Sequence, residues 1–426
     1  MFDYIKIEGF RSFKKVELDM PRLAVLIGPN GGGKSNFLDL LMLLSEAGNG
    51  KLANGVFRRG GFPNISFGFD SWGEVRLDLG FKGIQHPYML SPSPEVASRV
   101  GSATGSRSPV NNGGDVSYTI AMRNSGSGAQ VWVEILREQS PGMPSPSVEV
   151  LTRHAQTRDK DGFLFGSVFR WHDESGNIIV DRKYPDSESE LAIFQVKDRD
   201  KYPAPYALLW ELQRWVFYRD IDVGPESQVR QPALVRPDIQ LLPNGGNLSS
   251  VLYSIQQNHP YIWGEIMEMC KTACPDFNTV TFPPQGGDGK VFLRWFERPY
   301  EKEGVSANLL SDGTLKLLCL FAILKTPDPP PLICIDEPEL GLHPDWIKLV
   351  AELLQDAAMR TQVIVATHSP HIVAKLEPDQ LIVVEKEDGQ TVTKQFSRED
   401  QDSLAKWLKD FNLADLWLAG HFGGRP

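Results

Sequence analysis

Lys34 and Ser35 close the segment Gly28-Pro29-Asn30-Gly31-Gly32-Gly33-Lys34-Ser35, which follows the apolar run Leu23–Ile27. Glycines at this spacing let successive backbone N–H groups turn inward on phosphate oxygens. The lysine adds a point charge at the β- and γ-phosphates, and the Ser35 hydroxyl suits Mg²⁺. From Asn36 to Leu44 the chain reads as a buried helix whose N-terminus would face those phosphates. Strand before and helix after are the context this motif requires, so a nucleoside triphosphate, ATP or GTP, is the expected ligand.

A second group of chemically able residues lies near the other end. Pro331–Ile335 is apolar and ends in Asp336 and Glu337. At the tip of a buried strand, Asp336 can support the Mg²⁺ shell, and Glu337 can orient or deprotonate a water facing the γ-phosphate. The alternative is helix N-capping, which Pro338 would tolerate. Glu339-Leu-Gly-Leu-His-Pro344 and a helical pattern over Trp346–Leu354 follow, then a second apolar strand, Gln362–Ala366, ending in Thr367-His368-Ser369-Pro370. The two strand ends can lie side by side on the carboxyl edge of a parallel sheet, where ligands bind. His368 would then sense the γ-phosphate or hold the water. Upstream, Ser311 and Gly313 stand where the helix Leu315–Leu324 begins, a place suited to phosphate, or to a plain N-cap.

The ordered set of glycine loop, Leu-Ser-Asp-Gly-Thr314, Ile-Asp-Glu-Pro-Glu-Leu-Gly-Leu-His-Pro344 and Thr-His-Ser-Pro370 resembles the ABC-class ATPases of the RecF, SMC and OLD type. It is most similar to compact stand-alone members without a long coiled coil or a nuclease domain. Tyr4-Ile-Lys-Ile-Glu-Gly-Phe-Arg11-Ser-Phe13 is similar to their opening strand and loop. The resemblance covers about residues 1–47 and 305–384. It implies two ATP molecules sandwiched between two heads, each site joining the Walker motifs of one chain to the signature serine of the other. Lys34, Ser35, Asp336, Glu337 and His368 would act in cis, Ser311 and Gly313 in trans, with Leu340–Pro344 along the dimer seam. Arg11 is similar to an arginine that contacts nucleotide, and a surface ion pair reads equally well. Asp312 stands where transporter ATPases carry glycine, which argues for the OLD-like branch. The glutamine loop is not identifiable: Gln240–Asn247 is a candidate, and a Pro-Asn-Gly turn is the simpler reading.

The implied fold is α/β. It comprises an ABC-type P-loop head with a mostly parallel core sheet, an antiparallel β subdomain and an inserted α+β lobe. The expected organisation is residues 1–80 as the N-terminal half of the core, 81–300 as a compact lobe, β-rich and then helical, and 301–426 as the C-terminal half. With 426 residues and 41% hydrophobic content the chain can bury a sizeable core. No run of eighteen apolar residues occurs, so no membrane span is expected, and no secretory signal opens the chain. Cys270, Cys274, Cys319 and Cys334 read as reduced thiols of a cytoplasmic protein. A net charge of −10 argues against broad, constitutive nucleic-acid binding, though not against a local basic groove.

In the middle, short strands are expected over Ile65–Phe69, and a half-buried strand over Glu74–Leu79. Val116–Met122, Val131–Leu136 and Val148–Arg153 read as an antiparallel meander. Ser/Pro/Gly-rich residues 88–113 and 138–148 read as loops. Arg153, His154, Arg158 and Lys160 form a basic cluster, read as solvated loop rather than DNA contact. Asp198-Arg-Asp200 and Asp159-Lys-Asp161 lack calcium-loop spacing and read as turns. Helices are expected over Tyr206–Trp215 and Leu248–Cys274, with strands over Thr279–Phe282 and Lys290–Phe296. After His368 come a hairpin around Asp388-Gly389 and a helix near Asp402–Phe411. These last residues are too few for a nuclease domain and lack acids for two-metal chemistry.

The function expected is an Mg²⁺-dependent ATPase that forms a homodimer on ATP, DNA-associated in repair or anti-phage defence. The alternative is an ATP-controlled regulatory scaffold for a partner toxin or nuclease, without direct DNA contact. A transporter subunit fits poorly, because the gap between glycine loop and signature is far too long.

Overall fold

The structure is a computed structural model. It describes residues 1–84, 115–125, 128–139, 148–154, 167–172, 178–183, 189–199, 201–237, 240–298, 300–396, 400, 404, 407–408, 410–421 and 423. They form two compact units: Met1–Met20 with Asn36–Trp215 and Lys386–Thr393, and Pro21–Ser35 with Val216–Glu385 and Lys394–Pro426.

The first unit is built on an eight-stranded antiparallel sheet. Its strands are β1 (Phe2–Phe10), β2 (Phe13–Asp19), β4 (Glu74–Phe81), β5 (Asp115–Ser125), β6 (Gly128–Gln139), β7 (Val148–His154), β8 (Ser167–His172) and β9 (Ile178–Lys183), in the order β2-β1-β4-β5-β6-β7-β8-β9. Alternation drives this sheet: Val75, Leu77 and Leu79 of β4 are buried on one face. Leu40, Leu43 and Leu44 of helix α1 (Lys34–Gly48) face Leu77, Ile120 and Met122. Gly9, at φ +75, lies where a Cβ would come 2.0 Å from the Glu74 carbonyl oxygen, so only glycine lets β1 and β4 approach. Helices α2 (Leu52–Arg58) and α3 (Phe62–Ile65) follow α1, and α4 (Pro203–Gln213) comes after the sheet. Arg59 ties the end of α2 to α1 through Asp39 at 2.8 Å and Glu46 at 2.7 Å.

The carboxylate of Glu134 is fully buried in this unit, accepting from Tyr118 Oη at 2.7 Å and from the amides of Ala192 and Ile193 at 2.5 and 3.0 Å. Burial pushes its pKa up against those donors and Arg153, whose guanidinium lies 3.9 Å away. Arg153 is thus a core residue, 2% exposed and donating to the Glu190 carbonyl. The solvated-cluster expectation is corrected at that position, because a buried carboxylate needs a cation beside it. Arg158 and Lys160 lie outside the described residues.

A six-stranded sheet has the order β10-β17-β18-β3-β19-β20, and the second unit holds all of it except Lys386–Thr393. The strands are β3 (Leu23–Ile27), β10 (Val216–Tyr218), β17 (Leu332–Asp336), β18 (Gln362–Ala366), β19 (Leu381–Glu387) and β20 (Gln390–Gln395). The pairs β10–β17, β17–β18, β18–β3 and β3–β19 are all parallel. β3 is apolar throughout, and β17 and β18 are apolar apart from Asp336 at the end of one and Gln362 at the start of the other, as strands covered on both faces must be. β19 turns into β20 through Asp388 and Gly389, both at positive φ, the signature of a tight hairpin turn.

Helices α5 (Leu248–Asn258), α6 (Pro260–Ala273), α7 (Asp312–Leu324), α8 (Pro344–Ala358), α9 (Pro370–Val373) and α10 (Leu413–Leu418) also belong to this unit. Two small sheets accompany them, β11 (Ala233–Leu234) with β14 (Lys290–Val291) and β13 (Pro284–Gln285), and β12 (Phe277–Thr281) with β15 (Arg294–Glu297) and β16 (Val305–Ser306). α7 is buried almost all round, with Leu315, Leu317, Leu318, Cys319 and Leu320 at 3% exposure or less.

Several expectations change. The described residues of 81–300 do not form one lobe: those up to Trp215 belong to the first unit and those from Val216 to the second, where β10 pairs with β17. Over Ile65–Phe69 no strand forms: Ile65 ends α3, Ser66 makes a single β-bridge with Phe10, and Phe67–Phe69 is a 3-10 turn. The helix expected to reach Trp215 stops at Gln213, and Leu248–Cys274 is two helices broken at His259-Pro260, where proline forbids continuation. Lys290–Phe296 is split between β14 and β15. Half of Asp402–Phe411 lies outside the described residues. All four cysteines are free; burial raises every one of these thiols, Cys319 to about 12. Among the described residues no helix is long and apolar enough to cross a membrane.

Candidate nucleotide site

Three strands of the parallel sheet end in register. Ala366 lies opposite Leu26 of β3 and opposite Asp336 of β17. Parallel pairing therefore delivers the glycine loop, the acidic pair and the Thr367-His368 turn to one carboxyl edge. The loop's shape depends on its glycines: Gly28, Gly31 and Gly33 have φ of +145, +78 and +125. A Cβ on Gly28 would lie 1.9 Å from the Val384 carbonyl oxygen of β19. Gly32 donates to the Pro29 carbonyl at 3.1 Å, closing the turn.

Lys34, 6% exposed, donates from Nζ to the Gly28 and Pro29 carbonyls at 2.8 and 3.2 Å, and lies 2.8 Å from His368 Nε2. Burial lowers its pKa, opposed by Glu337, Asp336 and Glu339. Asp336 is pushed up by burial, opposed first by Arg219 and also by a hydrogen bond from the Ser35 hydroxyl. Glu337 adopts φ +48, with its amide donating to the Ala366 carbonyl at 2.8 Å, and its carboxylate lies 3.8 Å from His368 Nε2. A left-handed non-glycine residue at a strand tip costs about 1–2 kcal/mol, a strain typical of functional turns. Lys34, Ser35, Asp336, Glu337 and His368 are thus brought together. The Ser35 hydroxyl and the Asp336 carboxylate are hard oxygen donors in hydrogen-bond contact, the donor set Mg²⁺ takes alongside phosphate oxygens and water.

Ser311 is the N-cap of α7; its Oγ accepts from the Thr314 amide at 3.1 Å and lies 2.8 Å from Thr314 Oγ1. Gly313 packs against the turn after the acidic pair, where an added Cβ would meet the Gly341 carbonyl oxygen at 3.0 Å. In the first unit, Arg11 has φ +46, pairs with Asp39 at 2.7 Å and donates to Asn36 Oδ1 at 3.1 Å, so the ion-pair alternative is realised. Asn36 in turn donates to Ser12 Oγ at 2.9 Å. Gln240–Asn247 is a turn: Asn247 accepts from the Leu242 amide and donates to the Gln240 carbonyl.

Three further residues were not singled out from the sequence. Arg219 follows β10 and comes within 3.9 Å of Asp336; a three-residue strand has no period to reveal it. Glu339 Oε1 accepts from Thr367 Oγ1 at 2.7 Å and from the His368 amide at 2.8 Å, so it links the acidic turn to the histidine turn. Among the described residues its Oε2 is buried with no hydrogen-bond partner, and burial raises its pKa. Arg230 holds the segment entering α7.

The fold is that of an SMC-type ATPase head. A family model described as "AAA domain, putative AbiEii toxin, Type IV TA system" matches residues 148–374, more than half of the chain, and the chain belongs to that family. A second model, "AAA ATPase domain", matches residues 1–70. The chain is 44% identical over 41 residues to the chromosome partition protein Smc of Methanocaldococcus jannaschii, a match to 9% of this chain and 4% of that protein's length. Two solved structures share the fold at a TM-score of 0.50. One is an Smc head bound to the C-winged helix domain of ScpA, 14% identical and covering 94% of this chain and 99% of its own. The other is a Pyrococcus furiosus Smc head with an extended coiled coil, bound to the C-terminal domain of ScpA; it is 13% identical and covers 96% and 99%.

Proposed function

We propose that this protein binds and hydrolyses ATP at the Lys34–His368 cluster, and that two copies close on one another when ATP is bound. The observation that carries the reading is the convergence of Lys34, Ser35, Asp336, Glu337 and His368 on one sheet edge. Gly28–Gly33 would wrap the triphosphate with backbone N–H groups, and Lys34 would meet the β- and γ-phosphates. Ser35 and Asp336 would hold Mg²⁺, which neutralises charge on those phosphates when bound. Glu337 would take the proton of the attacking water, with His368 beside it to orient that water and the γ-phosphate. Ser311 and Gly313 would complete the site of the second copy, with Leu340–Pro344 along the seam.

At the level of the cell we propose a cytoplasmic ATPase associated with DNA in repair or anti-phage defence. The short identity to a chromosome partition protein supports that reading. The second reading, an ATP-controlled scaffold for an effector protein, is supported by the two Smc heads whose structures contain a bound ScpA domain. It is supported too by the toxin–antitoxin wording of the family description.

The test is the solution mass of Glu337→Gln protein with and without Mg-ATP, repeated with short DNA. A monomer-to-dimer shift on Mg-ATP is expected, and DNA joining the dimer selects the first cellular reading. A dimer indifferent to DNA selects the scaffold. A mass that ignores Mg-ATP, or undiminished hydrolysis by this variant, removes the mechanism.

A further inference from the structure

Arg230 is 6% exposed, yet its guanidinium meets six acceptors. Nε donates to the carbonyls of Val223 and Gly224 at 2.8 and 3.1 Å. Nη1 donates to the carbonyls of Ala307, Asn308 and Leu310 at 3.3, 3.0 and 2.8 Å, and Nη2 to Asp312 Oδ1 at 2.5 Å. The three Nη1 acceptors lie in the 3-10 turn and its cap that lead directly into Ser311. A planar, permanently charged fork is the side chain that can serve so many acceptors at once; a lysine cannot reproduce it.

Asp312 poses an electrostatic problem. Its side chain is 66% exposed and adjoins Ser311, at a helix start proposed to receive the γ-phosphate of the second copy's ATP. An unpaired carboxylate there, with nearby carbonyl dipoles, would repel the phosphate. We infer that Arg230 is a positioning residue for the signature: it fixes the backbone that presents Ser311 and neutralises Asp312, so that an anion from a second copy can approach. This inference rests on the shared-site reading above, and it assigns to the segment after β10 a role in trans.

The test uses full-length protein and mixed subunits. Arg230→Ala should melt cooperatively and bind a fluorescent Mg-ATP analogue at its own glycine loop within about twofold of wild type, since that loop is untouched. Its ATP turnover should fall by about 100-fold, the scale of a misplaced catalytic group. Mixed in equal amounts with Lys34→Ala protein, it should recover about a quarter of wild-type turnover, because random pairing makes half of the dimers mixed, each with one whole site.

The control is Ser311→Arg mixed with Lys34→Ala. Recovery in the control but not with Arg230→Ala overturns the role of Arg230 and leaves the shared site standing. No recovery in either removes the shared site and this inference with it. Adding Asp312→Asn to Arg230→Ala should raise turnover about tenfold by removing the uncompensated charge; no gain overturns the electrostatic half of the argument. If Arg230→Ala does not fold, Arg230→Lys serves: charge without the fork should leave turnover between wild type and Ser311→Arg, and wild-type turnover would overturn the inference.

Discussion

Glu339 joins two loops of the candidate site, and replacing it separates two demands on that side chain. Its Oε1 accepts from Thr367 Oγ1 and from the His368 amide, while Oε2 is buried without a partner among the described residues. Each bond to a charged acceptor is worth about 1.5–3 kcal/mol. A poorly solvated carboxylate gives back much of that, so Glu339→Ala should destabilise by about 2 kcal/mol net. Glu339→Gln keeps an oxygen for both donors and removes the buried charge, so it should stay within about 1 kcal/mol of wild type.

Catalytic readouts should diverge further. With the His368 amide released, Glu339→Ala should lose about 100-fold in kcat with little change in ATP affinity, whereas Glu339→Gln should keep turnover within about tenfold. The pH dependence adds an independent check. Burial raises the Glu339 pKa above its ordinary value of 4.5, so between those two values the folded state holds more protons than the unfolded state. Wild-type stability from this group must then decline as pH rises from about 4.5 through the raised value, and the decline should vanish in Glu339→Gln. Urea titrations across pH, together with steady-state turnover, measure both effects. Wild-type turnover and stability in Glu339→Ala would refute the argument, as would an unchanged pH slope in Glu339→Gln.

Three further substitutions probe the two units separately. Gly28→Ala drives a Cβ to 1.9 Å from the Val384 carbonyl oxygen at φ +145. Nucleotide affinity should therefore fall more than about 100-fold, whereas Gly31→Ala, with open space at φ +78, should cost about 1–2 kcal/mol. Equal losses by isothermal titration would show that the glycine loop is not shaped by β19. In the antiparallel unit, Glu134→Ala leaves Arg153 buried beside the emptied place of its carboxylate and strands Tyr118 Oη, so urea unfolding should register a loss of about 3–5 kcal/mol. A loss below about 1 kcal/mol would mean that this carboxylate is not what holds the core there.

Residue types and local order by themselves determined the nucleotide chemistry. The glycine loop, the acidic strand end and the Thr367-His368 turn each carry their meaning within a few residues, because backbone dihedral freedom and strand or helix context are local properties. The apolar runs of β3, β17 and β18 and the alternation of β4 to β6 were legible for the same reason. Tertiary structure decided what depends on pairing between distant segments. β10 is too short to show a period, and only its pairing with β17 sets Arg219 beside Asp336 and divides the residues read as one insert between two units. Arg153 looked like part of a solvated basic run until Glu134, on the neighbouring strand, gave it a buried partner. Glu339 and Arg230 act through hydrogen bonds that span 29 and 82 residues of chain. No local pattern encodes such bonds: a side chain's reach is a few ångströms of space, and only the folded sheet brings that space together.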